Sequence, residues 1–169
     1  SGPSLGDLAD NIIPYISGEE RKSEIEPCKI LGRVTDEGIV ASSEVLFSAS
    51  CNRVPVLDGH MACVSVECER KGCCDDVKAL WRHYSSEREV SSLPSAPDFP
   101  LFYCDEEDRP QPQLDRERGG GMTVSVGRLR PCSVMDYSFV ALSHNTIRGA
   151  AGGAILTAEL LAKKGLFYP

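Results

Sequence analysis

The stretch EVLFSASCNRVPVLDGHMACVSVECE, residues 44–69, decides how the chain is read. Its two arms, 44–56 and 60–69, are rich in β-branched residues and partly alternate, and Asp58-Gly59 stands between them. An Asp-Gly pair between apolar runs is a strong hairpin signal, because tight hairpin turns need positive φ. The stretch therefore predicts an antiparallel hairpin with Arg53 on one arm and His60 on the other. A guanidinium offers a planar fork matched to a carboxylate, and an imidazole titrates near neutral pH, so the pair suits proton transfer on a small acid. The spacing alone favours a plainer arrangement: Arg53 paired with a surface acid such as Asp58, and His60 capping the turn.

Working outward, LGDLADNIIPYI (5–16) has apolar residues near helical period and predicts a short helix limited by Pro14. GEERKSEIEPCKILG (18–32) predicts an amphipathic helix closed by Gly32, with Pro27 a point of kinking. CDDVKALWRHY (74–84) places Asp75 and Asp76 in its first turn and Val77, Leu80, Trp81 and Tyr84 at helical spacing, so it predicts a helix lying across a sheet. Residues 85–120, rich in Ser, Pro and Asp, read as loop with one short strand at 99–104. Residues 121–130 and 137–143 predict two further strands. The last segment, 145–165, predicts a C-terminal helix with Asn145 as N-cap and Gly165 beyond its end. This order implies an α+β fold: a largely antiparallel or mixed β-sheet, helices packed on one face, and a C-terminal helix, all in one domain spanning 1–169.

Composition narrows the function. The chain has 169 residues, 41% of them hydrophobic, and a formal net charge of -7. An acidic surface is a poor match for phosphate backbones, so nucleic acid is not expected as a partner. With no apolar run long enough for a bilayer and no signal-like N-terminus, no membrane association is expected and a cytoplasmic protein is. The eight cysteines contain no C-x-x-C pair, and several lie in apolar runs, where they read as small buried hydrophobes; neither a disulfide framework nor a metal site is expected.

GEERK (18–22), KILG (29–32), CNRVPVLDGH (51–60), LPSAP (93–97), RPQPQLDR (109–116), GMTVSVGR (121–128) and SHNTIRGAAGGAIL (143–156) occur in that order. Together they resemble the C-terminal part of aspartate-semialdehyde dehydrogenase, in its fungal and archaeal-type branch. The resemblance implies a substrate-binding and dimerisation domain whose C-terminal helix packs on a nucleotide-binding domain, and hence a homodimer. It implies that Arg53 grips the substrate carboxylate and that His60 is the general acid/base beside a catalytic cysteine. Glu20 would hold the substrate amino group, Lys22 a phosphate or similar anion, and Asn145 would lie near the nicotinamide of NADP if a nucleotide-binding domain were supplied in trans.

The departures bear on function. The 169 residues contain no SNCST-like nucleophile stretch, and GAAGGA (149–154) lies in the last helix rather than after a strand, so it is no dinucleotide fingerprint. Many relatives carry GHTE where this chain carries GHMA, which removes a hydroxyl and a carboxylate beside His60. Arg109, Arg116 and Arg118 read as a solvated face, Cys51 as packing, His83 as a surface residue and His144 as support for the helix start. Gly149, Gly152 and Gly153 in the last helix call for a close backbone approach, either within the domain or to a partner.

Read as a complete chain, the sequence favours a stand-alone enzyme that needs no cofactor. It would use this pocket for non-redox acid/base chemistry of isomerase, cyclase or lyase type on a small acidic metabolite. The alternatives are the C-terminal half of an NADP-dependent dehydrogenase, inactive alone, and a non-catalytic dimerisation module.

Overall fold

A computed structural model of the chain describes residues 8–167, which fall into two compact units divided between Val56 and Leu57. In the first unit, helix α1 (Glu19–Ile30) runs through Pro27 and is followed by strands β1 (Arg33–Thr35) and β2 (Gly38–Val40). These two pair antiparallel around a turn that ends on Gly38 at φ +123°. Residues 5–7 of the predicted 5–16 helix lie outside the described residues. From Ala9 the chain turns and then extends, and Ile13 forms an isolated antiparallel bridge with Arg53.

One helix face organises the rest of this unit. Glu20 and Glu24 stand one helical turn apart on α1; Glu24 Oε1 accepts from the Ala49 amide and Glu20 Oε1 from the Cys51 amide, both at 3.0 Å. A spacing of i,i+4 on a helix advances about 6 Å, and i,i+2 on an extended chain about 6.6 Å, so two carboxylates match two amides on the same side of the extended segment.

The second unit is built on a four-stranded sheet in the order β3-β6-β5-β4, with β3 His60–Val66, β4 Leu101–Cys104, β5 Val124–Pro131 and β6 Tyr137–Ser143. β6 pairs antiparallel with both β3 and β5, and β4 joins β5 in parallel. The sheet is therefore mixed, as expected. The predicted hairpin is corrected: no strand ladder forms over 44–56, and the 60–66 arm pairs with residues 137–143 instead. Asp-Gly marks a turn, but β6 is a long apolar strand and offers His60–Val66 a full-length antiparallel partner.

Helix α2 (Cys74–Arg82) lies on the sheet as its spacing predicts. Its Val77 and Trp81 pack on Tyr103, Val126, Leu129 and Tyr137, with Trp81 edge-on to Phe139 at a centroid distance of 5.0 Å. A capping box starts the helix: Cys73 Sγ accepts from the Asp76 amide, and the Asp76 carboxylate accepts from the Cys73 amide. The predicted loop 85–120 holds two short helices, α3 (Arg88–Ser91) and α4 (Pro112–Asp115), besides β4.

The C-terminal segment opens with a π-helical turn, Ile147–Ala151, and continues as α5 (Gly152–Lys163). Leu156 of α5 packs with Leu93 and Met122 in a second apolar cluster. Gly152 has its reason inside this unit, since a Cβ there would collide with Met122 Sδ. Asn145 is not the N-cap: Thr146 holds that position without a side-chain cap, and the His144 Nδ1 accepts from the Ile147 amide at 3.4 Å. Ile155, Leu166 and Phe167 remain exposed.

All eight cysteines are free thiols, and of the expected buried set only Cys104 is fully buried; Cys63, Cys68 and Cys73 are exposed. Among the described residues no helix is long and apolar enough to cross a membrane. Trp81→Ala is expected to lower the stability of the second unit by about 3 kcal/mol, read as a reduced midpoint in urea unfolding, because it empties the centre of the α2–sheet contact.

Candidate active site

The residues singled out in the sequence are distributed over both units. In the first, Glu20 is half-buried, and its bond to the Cys51 amide ties α1 to the segment that carries Arg53. Arg53 is half-buried, and its backbone is held from both sides by Ile13, its N–H donating to the Ile13 carbonyl at 2.9 Å and its C=O accepting from the Ile13 amide at 3.1 Å. The structure thus brings Glu20 and the Arg53 segment together. Lys22 is exposed on the same helix and lies 3.8 Å from the Glu19 carboxylate.

In the second unit His60 opens β3, exposed, with Ser143 opposite it in the ladder. The turn before it is held by groups that the sequence does not mark. Gly59 adopts φ +114°, and its amide donates to Asn145 Oδ1 at 2.8 Å. The Asp58 carbonyl accepts from Arg116 Nη1 at 3.3 Å. Met61 and Ala62 follow on β3, both exposed.

The reading of Arg109, Arg116 and Arg118 as a solvated face is corrected. Asp115 is 1% exposed and lies between two of them. Arg109 meets it in bidentate fashion, Nε at 2.7 Å and Nη2 at 2.5 Å, and Arg118 Nη2 adds a contact at 2.9 Å. The Gln111 amide supplies a further bond at 2.7 Å. Burial alone would raise the Asp115 carboxyl, but Arg109, the Gln111 amide and Arg118 outweigh it and hold the pKa down at about 2. Beside it, burial and then the Asp115 charge push the Cys104 thiol up to about 11, so this cysteine is no nucleophile near neutral pH. The cluster fixes the segment against the sheet, where the Arg109 carbonyl presses so close to Gly127 that a Cβ there would clash. Its spacing, Arg109, Asp115 and Arg118, resembles ordinary surface charge, and only the burial of Asp115 distinguishes it.

His144 is buried, with Nδ1 near the Ile147 amide and Nε2 3.4 Å from Glu117 Oε1, and it supports the start of the π-helical turn as expected. His83 is exposed, also as expected. Among the described residues no group of three or more His, Cys, Asp or Glu side chains is placed to hold a metal ion.

Residues 3–148 match the family described as semialdehyde dehydrogenase, dimerisation domain, and the chain belongs to that family. Among its relatives are the aspartate-semialdehyde dehydrogenases of Candida albicans, 48% identical over 98% of this chain and 47% of that protein, and of Archaeoglobus fulgidus, 43% identical over 96% of this chain and 46% of that protein. The chain spans about half the length of the curated relatives it matches. The crystal structure of the Candida albicans enzyme with NADP superposes with a TM-score of 0.88, covering 98% of this chain and 48% of that one. The Vibrio cholerae enzyme II complexed with ASA, at 21% identity and a TM-score of 0.65, shares the fold.

The Asp115 cluster carries a pH prediction. The Asp115 pKa is depressed in the folded state, so the unfolded chain binds more protons between its own carboxyl pKa and the folded value, and stability rises with pH across that window. The contribution is complete above about pH 4 and lost as pH falls toward 2. Unfolding measured across this range should show wild type losing about 2 kcal/mol more than Asp115→Asn, which is itself weaker by about 3 kcal/mol at neutral pH.

Proposed function

We propose that this chain is the substrate-binding and dimerisation half of an NADP-dependent aspartate-semialdehyde dehydrogenase of the fungal and archaeal type. The observation that carries the reading is 48% identity, across 98% of the chain, to the aspartate-semialdehyde dehydrogenase of Candida albicans. A homodimer follows from the family's dimerisation domain.

In this reading Arg53 receives the substrate carboxylate in its guanidinium fork, and Glu20 takes the amino group with the carboxylate that also steadies the Cys51 amide. Lys22, exposed and only loosely paired, supplies a charge for a phosphate-like anion. His60 moves the proton that a thiol nucleophile must lose and a departing group must gain. That nucleophile and the hydride acceptor come from outside these residues. Among the described residues GAAGGA runs through the π-helical turn into α5 and does not follow a strand, so it makes no phosphate cradle for a dinucleotide. NADP thus has its place only in the completed enzyme, where it supplies the redox chemistry.

The reading is preferred to a stand-alone non-redox acid/base enzyme because the relatives described above are dehydrogenases. Co-expression with the N-terminal half of the Candida albicans enzyme, which the high identity makes a compatible partner, is expected to restore NADP-dependent oxidation of aspartate semialdehyde in the presence of phosphate. The 169 residues alone should show none. His60→Ala in the restored enzyme should cut kcat by about 10²- to 10⁴-fold. Turnover of a small acidic carbonyl compound by the chain alone, abolished in His60→Ala, would reverse the preference.

A further inference from the structure

The peptide group joining Asp58 to Gly59 is gripped at both polar ends by side chains from remote parts of its unit. Its carbonyl accepts from Arg116 Nη1 at 3.3 Å, and its N–H donates to Asn145 Oδ1 at 2.8 Å. The position in the ladder explains why side chains do this. His60 faces Ser143 in the last pair between β3 and β6, and beyond Ser143 the chain leaves the strand for the π-helical turn. Asn145, two residues past the end of β6, supplies by its carboxamide the acceptor that a strand carbonyl would otherwise provide.

Gly59 makes the grip necessary. At φ +114° it occupies a conformation that other residues rarely adopt, and its wide backbone freedom sets little preference for the orientation of the peptide before it. The space is closed as well, since a Cβ would stand 3.3 Å from Leu142 Cδ1 and 3.5 Å from Pro112 Cβ. The Arg116 Nε stands 3.5 Å from Glu117 Oε1 without a hydrogen bond, and the same carboxylate oxygen lies 3.4 Å from Nε2 of the buried His144.

We infer that Asn145 and Arg116 are positioning residues for His60: by holding the 58–59 peptide from both ends they fix the backbone that carries the imidazole. The kinetic consequence rests on the reading of His60 as the proton-transfer group; the clamp itself rests on the hydrogen bonds alone. The Asn145 role differs from the cofactor contact implied by family resemblance, and the two are separable by atom, because the clamp uses the carboxamide oxygen.

Amide hydrogen exchange on the 169-residue chain tests the clamp directly. Asn145→Ala should speed exchange of the Gly59 amide by about tenfold or more, with the mid-sheet amides of Val126 and Ala141 unchanged. Asn145→Asp keeps an acceptor oxygen and should leave Gly59 slow. In the enzyme restored by co-expression, Asn145→Ala should lower kcat by about 10- to 100-fold with little change in KM for the aldehyde, and Asn145→Asp should recover most of it. Adding Arg116→Ala to Asn145→Ala should cost little more than the larger single loss, because both hold one peptide. Unaltered Gly59 exchange in Asn145→Ala, or equal losses of kcat in the Ala and Asp variants, would overturn the inference. A restored wild-type enzyme without activity would instead sink the proposed function and leave the exchange result to decide the clamp.

Discussion

Strand β6 is hydrogen-bonded along its whole length to β3 on one side and across most of it to β5 on the other, and the second unit depends on that pairing. It places Leu142, 1% exposed, and Val140 in the sheet interior, and it sets the register that puts His60 opposite Ser143. A slip of one residue would exchange the two faces of β3 and carry His60 to the other side of the sheet. The sheet's stability and the address of the candidate acid/base group therefore share one cause. The same register brings Asn145, just past the strand, level with the turn before His60, so its bond to Gly59 comes with correct pairing and needs no separate folding event.

Charge is used differently in the two units. In the second, Asp115 sits buried between Arg109 and Arg118 and accepts from both guanidinium groups and from the Gln111 amide, which makes the segment between β4 and β5 a fixed part of the scaffold. Arg116, the neighbour of Asp115, then starts from a rigid position when it reaches the Asp58 carbonyl. In the first unit Glu20 and Glu24 accept backbone amides from the 49–51 segment. A carboxylate that accepts one amide keeps further acceptor capacity, so a structural bond at Glu20 does not exclude a second bond to an ammonium group.

Elements with strong periodicity were legible in the sequence. The helix at 74–82 and the strands at 124–131 and 137–143 follow such spacing, whereas the helices at 19–30 and 152–163 are only weakly amphipathic, and the amphipathic reading of 18–32 is corrected because that helix buries no residue. The 44–69 stretch misled because alternation and a turn signal identify a strand without identifying its partner. His60–Val66 found that partner in β6, about 75 residues away, through burial that no local pattern encodes. The arginines misled for a related reason: spacing cannot distinguish a solvated charge from one aimed at a buried carboxylate. Of the candidate site, the residue types came through family resemblance, while the grip on the 58–59 peptide is visible only in three dimensions because it joins residues 58, 116 and 145.

The glycines of the last helix bear on what surrounds this chain. Glycine in a helix interior costs about 1 kcal/mol relative to alanine, so each needs a compensating reason. Gly152 has one in Met122, and a Cβ at Gly153 would crowd the Arg148 carbonyl where the π-helical turn tightens into α5. Gly152 and Gly153 are therefore explained by the chain's own packing, while a Cβ at Gly149 would meet only the His144 carbonyl at an ordinary 3.5 Å. Evidence for a partner lies instead in the apolar side chains that the unit leaves in water, Ile155 at 54% exposure, Leu166 at 66% and Phe167 at 51%. Their exposure has no reward within the unit, since burying an apolar side chain is worth about 1.5–3 kcal/mol. Ile155 lies on α5 and Leu166 and Phe167 just beyond its end, so any partner that covers them would regain this burial at the C-terminal end of the second unit.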